Sequence, residues 1–244
     1  MDRRQPPTDA ANLIHHTLAG GSLLWRITRS AQLQEGSLFN SKRAPIDVVT
    51  EVARPEEPYG RFDATAEDGY DFLYAALDDL TSIAEVLLRD VAFPESIRAL
   101  PYKEVRGRCL AVYETLEPLQ LVSLTTSAEL ARAWQDPWLI QAAPGEYALT
   151  RRWGHWLRRC SSQAQGFLWP SKRNPGGHCL ILFGDRGAAA ALSTNPVFQR
   201  DLDGSTGLAW LNRRLETLNT VVDDPYAPPD AAPHLPSARR AMGS

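Results

Sequence analysis

Five side chains able to do chemistry stand in four short blocks of this 244-residue chain. They are Arg26 in LLWRI (23–27), Arg61 in YGRFD (59–63), Tyr74 and Glu85 in FLYAALDDLTSIAEVLLRD (72–90), and Ser171 in GFLWPSKR (166–173). Guanidinium groups such as Arg26 and Arg61 bind phosphate oxygens through paired, charge-assisted hydrogen bonds. A fixed carboxylate at Glu85 stabilises positive charge that develops beside it. Tyr74 offers a ring for stacking and a hydroxyl for orientation. Ser171 follows Pro170 in a turn and has no evident His and Asp partner, which suits hydrogen bonding rather than nucleophilic attack. Each residue also has a purely structural use. Arg26 could be a solubilising edge-strand charge, and Glu85 could be the far half of a capping box with Ser82, or simply an exposed helix residue. Ser171 could satisfy a turn, and Tyr74 could be core.

Other chemistry finds little support. No GxGxxG after a strand, GxxxxGK[ST], HExxH or GxSxG occurs. The five histidines, His15, His16, His155, His178 and His234, lack ligand spacing, and no metal is expected. Cys109, Cys160 and Cys179 form no CxxC pair and read as small buried apolar residues. Arg151, Arg152, Arg158 and Arg159 alternate with Trp153, Trp156 and Leu157, as on the wet side of an amphipathic helix.

The elements that must position these residues follow from apolar patterning. Strands are expected at 23–27, 71–77, 108–114, 119–124, 166–169 and 178–183. Helices are expected at 78–90, 126–134, 146–160 and 207–219, with a first helix capped by Asp9 and running to His16. The segment 30–58 reads as a long surface excursion. Strands and helices mix without regular βαβ alternation, so the class is α+β rather than a doubly wound parallel sheet. One domain spans 9–222. The polar residues 1–8 and the tail 223–244, with five prolines, are expected to be disordered.

Bulk composition is that of an ordinary globular protein, 43% apolar and 23% charged. No run approaches the roughly 18 apolar residues of a membrane span, and the first residues lack the apolar core of a secretory signal, so a cytoplasmic location is expected. A net charge of −3 gives no global attraction to nucleic acid, so direct nucleic-acid binding is not expected and any anion must be captured locally.

In their order the four blocks, with the helix ALTRRWGHWLRR before the last, resemble the RES-domain family over roughly Leu23 to Phe183. The resemblance places the family's namesake arginine, glutamate and serine at Arg26, Glu85 and Ser171, the arginine of its glycine-arginine-aromatic motif at Arg61, and its strand tyrosine at Tyr74. Phe62 stands where tryptophan is usual, and Trp169 where tyrosine is common; both keep a flat ring. The resemblance implies an ADP-ribosyltransferase-like fold, a mixed sheet flanked by helices. It further implies an enzyme that takes NAD as substrate and breaks its nicotinamide–ribose bond, with water, phosphate or a protein side chain as acceptor. On the same ground the chain would be the toxin of a toxin–antitoxin pair, held by an Xre-type antitoxin with a helix-turn-helix domain. Self-association stays open, as does an inactive NAD- or ADP-ribose-binding or protein-interaction module on the same fold.

Overall fold

A computed structural model of the chain describes residues 5–34, 38–44, 59–89, 91, 97–223 and 225–226. Most of the expected excursion (45–58) and most of both expected disordered tails (1–4, 224 and 227–244) lie outside the described residues. In chain order the strands are β1 His15–Leu18, β2 Leu23–Arg29, β3 Phe72–Ala76, β4 Arg98–Leu100, β5 Arg108–Glu114, β6 Leu119–Ser123, β7 Gly166–Pro170, β8 His178–Phe183, β9 Phe198–Asp201 and β10 Thr220–Val222. The α-helices are α1 Ser30–Gln34, α2 Asp79–Leu87, α3 Ser127–Arg132, α4 Trp138–Gln141, α5 Tyr147–Cys160 and α6 Ser205–Glu216.

Among the described residues, eight strands form one sheet in the order β1-β6-β7-β8-β3-β2-β5-β9, antiparallel except for β6 and β7, while β10 and β4 pair in parallel apart from it. The class is α+β, with helices flanking a large mixed sheet. Interior strands such as β5 and β8 are buried along nearly their whole length, which is why RCLAVYE and HCLILF are almost continuously apolar. On one face Phe62, Phe72, Phe167, Trp169 and Phe183 pack with Trp153, Trp156 and Leu157 of α5. On the other lie Leu24, Leu73, Leu168, Leu180 and Leu182. A third cluster joins Ile83 and Leu87 of α2 to Ile27, Leu110 and the apolar stripe of α6. Each large apolar side chain taken fully from water contributes roughly 1.5–3 kcal/mol.

Two sequence expectations are corrected, and one structural alternative for Glu85 is set aside. His15–Leu18 is a strand, not the end of a first helix, because it pairs antiparallel with β6 from His15↔Val122 to Leu18↔Leu119, and cross-strand pairing overrides local propensity. Arg151 and Arg158 are not on a wet face: they are 1% and 3% exposed, since α5 is enclosed by the sheet and by the 59–70 segment. Arg158 instead stacks on Tyr70 and Phe183 and pairs with Asp68 and Asp185. The cap of α2 is Asp78, whose carboxylate accepts from Thr81 N at 2.7 Å, so Glu85 is not engaged in a capping box with Ser82.

One irregularity of the sheet positions the site. β2 pairs with β5 along all seven of its residues, and β3 pairs with β8 along all five, yet β2 and β3 meet only at Trp25↔Ala76. The two halves of the sheet part there, and α2, which follows β3 directly, packs against both strands.

Candidate functional site

Arg26 projects from β2. Its Nη1 donates to the Leu38 carbonyl at 2.6 Å, and no carboxylate lies within ion-pair distance among the described residues. Burial lowers its pKa from the ordinary guanidinium value, only partly opposed by Tyr113 and Cys109. The side chain is therefore a desolvated cation in want of an anion.

The turn 59–63 crosses β3 at Tyr74. Phe62 N donates to the Tyr74 hydroxyl at 2.9 Å, and Thr150 Oγ1 of α5 donates to the Arg61 carbonyl at 2.8 Å, so strand and helix both fix the turn. Gly60 N donates to Asp63 Oδ2 at 2.8 Å. A Cβ at Gly60 would stand 2.5 Å from Asp63 Oδ1 and 2.8 Å from the Tyr74 hydroxyl, so only glycine permits this approach. Arg61 is 8% exposed, its guanidinium carbon lies 5.4 Å from the Tyr147 ring centroid, and its Nε has no hydrogen-bond partner among the described residues. Burial pushes the Tyr74 phenol well above its ordinary pKa, so it stays protonated. Phe62 and Trp169, the two rings that depart from the family pattern, meet edge to face at 5.2 Å, with Tyr74 against Trp169 at 6.2 Å. They form one aromatic wall.

Glu85 lies on the second turn of α2. Its Oε1 accepts from Ser171 Oγ at 2.6 Å and from Arg173 N at 3.2 Å. Ser171 is buried, and its hydroxyl also accepts from Asn174 N at 2.8 Å and Arg173 N at 3.1 Å. The serine's one proton goes to Glu85, so Ser171 stands behind the carboxylate as its support.

A cleft of about 320 Å3 opens where β2 and β3 part, and Arg26, Arg61, Tyr74 and Glu85 all line it. Ser171 does not line it and reaches it through its hydrogen bond to Glu85. The volume sits at the lower end of the roughly 300–1,000 Å3 of small-molecule sites. Sequence reasoning passed over three further lining residues, Asp63, Arg89 and Tyr147. Two left a signal: Asp63 closes the YGRFD block, and Arg89 follows Glu85 by four residues, just beyond the end of α2. Tyr147 left none. Burial raises the Asp63 pKa, opposed by the Gly60 N–H, Tyr74, Arg151 and Arg89. Among the described residues no group of three or more His, Cys, Asp or Glu gathers as a metal site requires, and no helix is long and apolar enough to cross a membrane.

The sequence model of one protein family, described as the RES domain, matches residues 23–206. No curated protein sequence matches the chain. Among solved structures the chain is similar to one in the crystal structure of the M. tuberculosis MbcT-MbcA toxin-antitoxin complex. That likeness has a TM-score of 0.47 at 14% identity and covers 76% of this chain and 86% of that one.

Proposed function

The chain belongs to the RES-domain family, and from that premise we propose that it is an enzyme that takes NAD as substrate and breaks the bond between nicotinamide and ribose. The observation that carries this reading is the convergence of Arg26, Arg61, Tyr74 and Glu85, distant in sequence, on one cleft. Arg26 and Arg61 supply the cations a dinucleotide's phosphates need. The aromatic wall of Tyr74 and Trp169 suits a flat base.

When the C1″–N bond to nicotinamide breaks, the bonding pair leaves with nicotinamide and the ribose becomes oxocarbenium-like. Glu85 then faces a developing positive charge, and an anion that interacts more strongly with the transition state than with the ground state accelerates the step. Such a contact contributes on the order of 3 kcal/mol only if it is preorganised. Ser171 and Arg173 N provide that, because both already donate to Glu85 Oε1. An acceptor, water, inorganic phosphate or a protein nucleophile, then bonds to C1″ and gives up its proton where it carries one. In the cell the activity would make the chain a toxin, restrained by an antitoxin carrying a helix-turn-helix domain.

The test is incubation of purified protein with NAD, with and without phosphate, following nicotinamide by chromatography. Release that disappears in Glu85→Ala and Arg26→Ala supports the enzyme. NAD binding without release would instead make the chain a binding module and sink the proposal. Free ADP-ribose, its 1″-phosphate or a modified protein identifies the acceptor.

A further inference from the structure

The cleft is cationic although the chain carries a net charge of −3. Arg26, Arg61 and Arg89 line it against the carboxylates of Glu85 and Asp63, and burial displaces Asp63 toward its neutral form. Two of the three guanidiniums share one ring: the carbons of Arg61 and Arg89 lie 5.4 and 5.5 Å from the Tyr147 centroid. Arg89 Nη2 also donates to the Tyr147 hydroxyl at 3.2 Å, which fixes it there. Gathering like charges costs Coulomb energy that the ring offsets only in part. Lys172 feels the same field, its pKa lowered by burial and then by the charges of Arg61 and Arg173. The buried Nε of Arg61, without a partner among the described residues, marks an unmet demand for an acceptor.

We propose that Arg61 and Arg89, held on the Tyr147 ring, form an oxyanion site for a phosphoryl group, and that Arg89 completes it. Identifying that group as the diphosphate of NAD rests on the function proposed above, whereas the oxyanion site does not. The same chemistry would also take free inorganic phosphate, so the test separates the two sources.

The full chain is heated with inorganic diphosphate or inorganic phosphate, and NAD turnover is measured in phosphate-free buffer. Millimolar diphosphate is expected to raise the wild-type Tm, to leave Arg89→Gln unmoved, and to retain part of its effect in Arg89→Lys. A KM for NAD about tenfold higher in Arg89→Gln, with kcat within about twofold, assigns the site to the dinucleotide's diphosphate, because a charge-assisted hydrogen bond is worth at least that factor. An unchanged KM with loss of any phosphate-stimulated rate assigns it to free phosphate. If Arg89→Gln alone lowers the unliganded Tm, Arg89→Lys carries the comparison. Diphosphate that fails to stabilise the wild type, or that stabilises Arg89→Gln equally, overturns the site. Arg89-dependent stabilisation in a protein that never releases nicotinamide keeps the site and sinks the NAD reading instead.

Discussion

Ser171 Oγ donates to Glu85 Oε1 across 2.6 Å while itself accepting two turn N–H groups, from Arg173 and Asn174. The serine thus couples the turn after β7 to the carboxylate on α2, two segments 86 residues apart. Ser171→Ala is expected to cut nicotinamide release about tenfold, the worth of one hydrogen bond to a charged group, and less than Glu85→Ala does. The Asn174 N–H left without its acceptor should also lower stability by about 1–2 kcal/mol, whereas Arg173 N keeps Glu85 Oε1. Equal losses of turnover in the two variants would assign the serine a direct part in the chemistry.

Arg26 makes the opposite trade. A desolvated cation without a carboxylate partner among the described residues contributes little to folding. Arg26→Met keeps the length and removes the charge. Its Tm should be equal to or above the wild type, while turnover falls by about 100-fold or more. A Tm drop beyond about 3 °C, near 1 kcal/mol for a chain of this size, would make Arg26 chiefly structural.

Asp63 gives a pH signature. A carboxyl whose pKa is raised by folding binds more protons folded than unfolded. Its contribution therefore favours folding below the unfolded value near 3.8 and is lost as pH climbs through the raised folded value. Asp63→Asn abolishes that titration. Urea unfolding should find the variant closest to the wild type near pH 4 and more stable relative to it as the pH rises to 8. A difference that is constant across this range would show that the carboxyl does not titrate there.

Arg158 separates stability from activity. Its guanidinium carbon lies 3.7 Å from the Tyr70 centroid and 4.3 Å from that of Phe183, and it pairs with Asp68 at 3.0 Å and Asp185 at 2.8 Å. Arg158→Ala empties that space and strands both carboxylates. The loss expected is about 3 kcal/mol, the low end for a buried pair, because Asp68 and Asp185 are 30% and 43% exposed and can rehydrate. Since Arg158 does not line the cleft, kcat per folded molecule should stay within about twofold of wild type, measured well below Tm.

The amino-acid sequence alone determined the elements that bury themselves by local pattern. The unbroken apolar runs of β5 and β8, and the helical text before Cys160, each record how much of a segment leaves water. It also carried the four blocks that hold Arg26, Arg61, Tyr74, Glu85 and Ser171. What it could not carry is which buried positions meet. The β1 strand exists only because the edge of β6 is there to pair with it. Arg151 and Arg158 read as solvent-facing because nothing local announces that the 59–70 segment covers α5. Asp63, Arg89 and Tyr147 join the cleft through contacts between a turn and two helices, and the cleft itself exists because β2 and β3 pair at a single position. Periodicity fixes the orientation of a side chain relative to its own element, whereas a site is a relation between elements, and that relation is settled by long-range pairing and packing.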